Sequence, residues 1–425
     1  MLRNQYSPKI LYISYSIVFA IFAIYTGLVL ISPQKFIYDE VYYMEIAQNF
    51  LASRLSQEFI RNISAPTGIL YALVHYTFYP ATHHQIPAIR FVNIFFLIAS
   101  FSLIFASFKT IAKQESCLSF LNAIPWLVFP AIGVISCIAL TEISAITFFL
   151  ISTFLLFYAY NDGRWRASLY SILYLVGSGL CLGLSTWGRQ NFILTILGAV
   201  VIFLPLSRRS TVLALSYLLP VLLVFLYPIS LWNGLVPPAV EFVEQGYKFS
   251  NLILSLGYLG IFTILLYPKS ILSQSRQTLL RVFWVSLALV VFIPGLKYVP
   301  SVFLLQSIFG ITFTKVIAYL FGLLLTFTSI LTLNFIYSRF RFTQNKTDLK
   351  FYTYNAIIIV LICFSNVKIV HQFSSRYITL VLPSLVYVMG LSSTLFANGF
   401  IYLRLVFSFL MSVLFVLNYY EFLPF

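Results

Sequence analysis

Residues 10–45 read ILYISYSIVFAIFAIYTGLVLISPQKFIYDEVYYME. The first part, 10–31, carries no charged side chain. At about 1.5 Å of rise per residue it is long enough to cross a hydrocarbon core about 30 Å thick. Pro33 and Lys35 end the run, and two adjacent carboxylates, Asp39 and Glu40, follow among aromatics. A membrane-crossing helix that gives way to an acidic, aromatic-rich surface segment is the unit on which the rest of the chain is built.

The apolar half of that unit recurs. Of the 425 residues, 60% are hydrophobic, 18% aromatic and only 9% charged, with mean hydropathy +0.95, values far from those of soluble domains. Apolar runs between polar breaks predict spans near 10–31, 88–108, 117–134, 138–159, 168–187, 191–206, 211–231, 251–268, 282–296, 314–337, 353–370, 377–397 and 401–419. The expected fold is therefore all-α, a polytopic transmembrane bundle of about 11–13 spans forming one integral domain over 1–425, with no soluble C-terminal domain. A cleaved leader would instead give one short apolar run before soluble sequence. The cysteines Cys117, Cys137, Cys181 and Cys363 sit in or beside apolar runs without metal-ligand spacing and read as small hydrophobes.

The net charge of +15 is explained by orientation rather than by nucleic acid, because Lys and Arg are retained on the cytoplasmic side of a membrane. With a cytoplasmic N-terminus, the inner segments hold Arg3, Lys9, Lys109, Lys113, Arg208, Arg209, Arg276, Arg281, Arg339 and Arg404 among others. Most of the acids, including Asp39, Glu40, Glu45, Glu58 and Glu142, then fall on the extracytoplasmic side.

Residues 32–87 form a connection far longer than usual, which predicts internal structure or function. In 41–55, Glu45, Gln48, Asn49 and Ala52, continued by Ser56, share one helical face. Tyr43, Met44, Ala47, Phe50, Leu51 and Leu55 share the other, so an amphipathic helix along the membrane surface is expected. A second helix is expected from Ser64 as N-cap, with Pro66 in its first turn, to before Pro80. Asp39 is then the N-cap of the first surface helix, and Glu40 is favoured by its dipole. The sharper reading is that one carboxylate is a general base, its proton affinity raised by apolar flanks, while the other holds the acceptor hydroxyl.

Other polar groups stand where they are costly. Glu142 opens the fourth span, either as a capped first-turn acid or as a site residue. Arg189, Gln190 and Asn191 follow Trp187 at the outer end of the fifth span, where Arg is uncommon. Arg189 suits a phosphate, which Arg grips bidentately; otherwise it snorkels or pairs with Glu142. His371, Arg376 and Tyr377 form a third outer cluster, with Arg376 a second cation for a lipid phosphate or else part of an interfacial belt. His75 reads as an interfacial polar contact, and adjacent His83 and His84 do not share a helix face and so make a poor metal pair. Asn62 opens an N-I-S sequon.

These pieces in this order resemble the GT-C superfamily of membrane glycosyltransferases, which take a sugar from a polyprenyl-phosphate carrier. YDEVYYMEIAQNFL (38–51) is similar to the opening of the protein O-mannosyltransferase and aminoarabinose-transferase branch. ISAPTGILY (63–71), GRQNFI (188–193) and HQFSSRYITLVLP (371–383) are more similar to the dolichyl-phosphate-glucose glucosyltransferase. The resemblance implies that the first outer loop carries the catalytic acid, Asp39, or Glu40 with the frame shifted by one. It further implies Arg189 and Arg376 for the donor phosphate, and a glycan, lipid or protein acceptor. Where the mannosyltransferase pattern has a His-Pro-Pro or Pro-Pro-Gly turn, this chain has Ala65-Pro66-Thr67-Gly68. No cofactor is expected, and nothing in the sequence supports a divalent metal. The phosphate leaves with the lipid, so no nucleotide loop is needed, and neither a P-loop nor GxGxxG is present. The implied reaction is an inverting displacement at the extracytoplasmic face of the inner membrane of a prokaryote or of the endoplasmic reticulum. Two other readings compete with it. A Wzy-type polysaccharide polymerase would carry its large outer loop later in the chain, and a lipid or polysaccharide transporter would show inverted repeats and mid-membrane polar residues.

Overall fold

The structure, a computed structural model, describes residues 8–161, 168–205, 207–240, 246–268, 274–297, 302–342, 346–369, 375–392 and 400–422. All regular elements among them are helical. Among the described residues eight helices are long and apolar enough to cross a membrane, and a bent pair adds a ninth. Shorter apolar helices occupy Gln190–Phe203, Ser250–Leu266 and Leu382–Ser392, where spans were also expected. The chain is an integral, multi-pass membrane protein. It divides into two compact units, one comprising Met1–Val243 with Val406–Leu423, the other mainly Glu244–Leu405.

The first unit contains α1 (Pro8–Leu30), α2 (Glu40–Ser53), α3 (Gln57–Asn62), α4 (Gly68–Thr77), α5 (Tyr79–Thr82), α6 (Ala88–Thr110), α7 (Ser116–Val128), α8 (Pro130–Cys137), α9 (Glu142–Asn161), α10 (Leu169–Gly188), α11 (Thr195–Phe203) and α12 (Arg208–Trp232). The predicted 117–134 span is broken. Phe129 is extended before Pro130, and α7 and α8 meet at 73°. Proline cannot donate an amide and bars its predecessor from helical geometry, so carbonyls at the break lose their partners. In hydrocarbon such groups need replacements from the protein. Tyr25 Oη donates to the Leu127 carbonyl at 2.9 Å and Ser408 Oγ to that of Val128 at 2.8 Å. Ser412 Oγ donates to the Pro130 carbonyl at 3.0 Å and accepts from the Gly133 amide at 3.1 Å. The end of α8 is collected by Asn93, whose Nδ2 reaches the carbonyls of Ile135, Ile138 and Leu140 at 3.1, 2.6 and 3.1 Å.

Between α1 and α6 the chain forms four short helices rather than the two expected. α2 follows the predicted faces over its length: Tyr43, Met44, Ala47 and Phe50 are buried, Leu51 is half-buried, and Glu45, Gln48, Asn49 and Ala52 are exposed; Leu55, expected on the buried face, lies past the end of α2 and is exposed. α3 was not anticipated; Ser56, expected as a continuation of the α2 face, caps it by accepting the Phe59 amide at 3.1 Å. α4 begins at Gly68, not near Ser64. Residues 64–67 form a turn closed by the Gly68 amide on the Ala65 carbonyl at 3.0 Å, so Ser64 is no cap and Pro66 precedes the helix.

The second unit holds α13 (Ser250–Leu266), α14 (Arg276–Phe292), α15 (Val302–Phe342), α16 (Lys346–Ser365) and α17 (Leu382–Ser392); α18 (Ile401–Tyr419) begins here and continues into the first unit. α15 exceeds its predicted 314–337 because a short helix joins it across Gly310, which at φ 77° adopts a conformation that favours glycine. α13 and α15 approach backbone to backbone. Gly257 and Gly260 face the carbonyls of Leu325 and Thr328, and Thr328 Oγ1 donates to the Gly257 carbonyl at 2.9 Å. Small residues permit this approach where lipid offers no hydrophobic drive to association.

That contact is directly testable. Gly257→Ala drives a methyl into the Leu325 backbone and should cost about 1–3 kcal/mol. Gly27→Ala in α1, where nothing lies within 4 Å, should be neutral. Thermal unfolding of the two variants in detergent gives the comparison.

Candidate active site

Glu40 is the centre of the best-defined polar cluster. Neither it nor Arg90 has any exposed side-chain surface. Arg90 Nε donates to Glu40 Oε1 at 2.9 Å and Nη2 to Oε2 at 2.6 Å, the bidentate fork that planar guanidinium and carboxylate groups favour. Oε2 also accepts the Ile37 amide at 3.0 Å and Oε1 the Ala139 amide at 2.6 Å. Arg90 spends its remaining reach on the carbonyls of Pro33 and Lys35, at 2.9 and 3.0 Å. Its guanidinium carbon lies 5.6 Å from the Tyr420 ring centre. One ion pair thus ties together the segment after α1, the start of α2, the start of α6 and the turn between α8 and α9.

This divides the acidic pair. Both oxygens of Glu40 are engaged by Arg90 and backbone amides, so accepting a substrate proton would mean dismantling a buried ion pair. Asp39 is half-buried and immediately precedes α2. The expected cap bond is missing: the Asp39 side chain accepts no helix amide, because the left-handed Tyr38 (φ 48°) starts the turn and Glu40 reaches back to the Ile37 amide instead.

A second pair forms where α9 starts and α10 ends. Arg189 Nη2 donates to Glu142 Oε1, with side-chain exposures of 16% and 2%. Burial of both argues for a fixed guanidinium rather than a solvent-facing one. Gly188 makes the approach possible: a side chain there would meet Leu70 of α4 and Ala145 of α9. Gln190 Nε2 donates to the Leu235 carbonyl at 2.8 Å, and Asn191 is half-buried in the following 3-10 turn. Trp232 Nε1 donates to the Ile60 carbonyl at 2.6 Å, fastening α3 to α12. Glu40, Glu142, Arg189 and Gln190 therefore belong to one end of the first unit, where α1, α8, α10 and α12 finish.

Arg376 and Tyr377 are half-buried on a 3-10 turn, Ser375–Ile378, in the second unit. His371 lies outside the described residues. Among the described residues no three His, Cys, Asp or Glu side chains converge as a metal site. The residue that sequence reasoning missed is Arg90. Its signal was present in PAIRFVNIFF (87–96), an Arg four residues into a charge-free stretch, which calls for a buried acid.

His75 is buried on α4 with its ring centre 4.1 Å from that of Tyr71, and its Nδ1 has no hydrogen-bond partner. Burial, helped by nearby His84, pushes its pKa down to about 3. Unfolded, the imidazole titrates near 6.5. Between those values only the unfolded chain holds the proton, so stability falls as pH drops below about 6.5. His75→Phe should flatten that limb of the stability profile, read as Tm against pH. Arg90→Met leaves Glu40 charged and buried, and should cost about 3–5 kcal/mol. Thermal unfolding of the detergent-solubilised variant measures this.

No family model matches the chain, and no curated protein matches its sequence. Two solved structures of ArnT from Cupriavidus metallidurans are similar to it. That of ArnT bound to undecaprenyl phosphate is 12% identical, with 97% of this chain and 78% of that chain covered and a TM-score of 0.44. That of ArnT in the apo state is 13% identical, with 95% and 76% covered and a TM-score of 0.43.

Proposed function

We propose that the protein is a GT-C-type glycosyltransferase that moves a sugar from a polyprenyl-phosphate carrier to an acceptor hydroxyl at the extracytoplasmic face of its membrane. The observation that carries this reading is the separation of roles within the acidic pair. Glu40 is locked to Arg90 and fixes the start of α2, while the neighbouring carboxylate, Asp39, is held on that rigid base without being used as a helix cap. A general base needs a fixed position, which the buried Glu40–Arg90 pair gives the neighbouring residue.

In the reaction, Asp39 takes the proton of the acceptor hydroxyl as its oxygen bonds to the anomeric carbon. The bond from that carbon to the phosphate oxygen breaks, and the electron pair leaves with the lipid phosphate. One base suffices for this single displacement, which inverts the anomeric centre. Arg189 is the candidate for the leaving phosphate. A guanidinium carries five N–H donors on more than one edge, and the Glu142 carboxylate orients it. Arg376, Tyr377 and His371 stay sequence candidates for the donor and take no step here.

The test uses the full chain reconstituted in liposomes with a radiolabelled polyprenyl-phosphate sugar and a membrane extract as acceptor source. Asp39→Asn should lower transfer by about 100-fold or more with unchanged elution and Tm. Undiminished turnover in that variant would overturn the assignment. Arg189→Ala should raise KM for the donor more than KM for the acceptor; equal effects would make Arg189 purely structural.

A further inference from the structure

The exposed face of α2 does not end at the surface of the molecule; it forms one wall of a cleft of about 450 Å3. Glu45, Gln48, Asn49 and Ser53 of α2 line one side, and Glu58 and Asn62 of α3 line the other. Phe59 and Ile63 are buried at its base. The side chains of Glu45, Gln48, Asn49, Glu58 and Asn62 make no hydrogen bond or ion pair with other described residues. Two carboxylates and three amides are thus turned into one concave space without a side-chain partner among the described residues. The cleft starts about 9 Å along α2 from Asp39, by helical rise from residue 39 to residue 45.

The lining selects among ligands. Among the described residues it contains no Lys, Arg or His, so an anionic ligand would meet two carboxylates with no cation beside them. Its acids form no three-membered metal cluster. An apolar chain would strand five polar side chains without water. Carboxylates and amides at intervals over an apolar base are the groups that satisfy rows of hydroxyl donors and acceptors while aliphatic C–H faces rest on the floor. We infer that this cleft binds the non-reacting part of the acceptor, and that this part is an uncharged or amino-bearing saccharide without carboxylate or phosphate.

The inference rests on the proposed glycosyltransferase reading and narrows its acceptor from glycan, lipid or protein to glycan. Acceptor hydroxyls one or two sugars from the cleft would reach Asp39, so occupancy of the cleft selects which hydroxyl is glycosylated.

The test is an array of neutral, amino-bearing and acidic oligosaccharides probed with the labelled full chain in nanodiscs. Wild type and Asp39→Asn should both bind neutral or amino-bearing glycans. The double variant Glu45→Ala/Glu58→Ala should lose at least tenfold in binding while matching wild type in Tm, and Gln48→Ala/Asn49→Ala should act in the same direction. No glycan bound, binding confined to acidic glycans, or binding that both double variants retain would overturn the inference. Terbium luminescence abolished by Glu45→Ala/Glu58→Ala would overturn it in favour of a cation. Failure of the transferase reading is distinguishable, since it shows as absent transfer from polyprenyl-phosphate sugar whatever the array reports.

Discussion

A carboxylate and a guanidinium, both fully withdrawn from solvent, set the geometry of one end of the first unit. Desolvating Glu40 and Arg90 is expensive, and their attraction alone offsets that cost poorly. What makes the pair tenable is saturation: two guanidinium nitrogens and two backbone amides on the carboxylate, and two further carbonyls on the guanidinium. Three of those extra bonds, to Pro33, Lys35 and Ile37, go to the segment after α1, and the fourth, to Ala139, goes to the turn between α8 and α9. The pair is therefore a joint between chain ends that hydrophobic packing in lipid would leave free to slide, and α2 inherits its position from it.

Membrane solvent explains much of what surrounds the joint. Side chains compensate the broken backbone between α7 and α8, with Tyr25, Ser408, Ser412 and Asn93 replacing the helical bonds that Pro130 and the turn at 138–141 remove. Asn93 and Glu40 together hold residues 135–140, and Glu142 follows within the same turn of chain. The Glu142–Arg189 pair is thus placed by the packing of Gly188 against Leu70 and Ala145 and by the hydrogen bonds that hold the turn before α9. The same joint that fixes α2 also fixes the start of α9.

The helical bundle was legible in the sequence because length and hydropathy alone decide whether a segment crosses lipid. The faces of α2 were legible because periodicity survives whatever tertiary partner is found. Local chemistry was less so. Ser64 and Pro66 carried good helix-start chemistry, yet the turn at 64–67 belongs to the packing of Gly68 against Ile46 and Ile63, a tertiary contact without sequence signature. Asp39 had cap chemistry but its side chain makes no cap bond to α2, while a partner 50 positions away drew Glu40 inward. The pairing of Arg189 with Glu142 was one of three readings, beside phosphate binding and snorkelling, and it shows only where α9 and α10 meet.

The break between α7 and α8 also dictates an order of events. Two of the hydroxyls that satisfy it, on Ser408 and Ser412, are encoded about 280 residues after the carbonyls they serve. While the chain emerges from the ribosome, those carbonyls sit in a segment that cannot settle in lipid by itself. Until α18 is made, those carbonyls lack the two hydroxyls that satisfy them. α18 is in this sense the closing part of an early span, and removing it would disturb the membrane residence of a region synthesised long before.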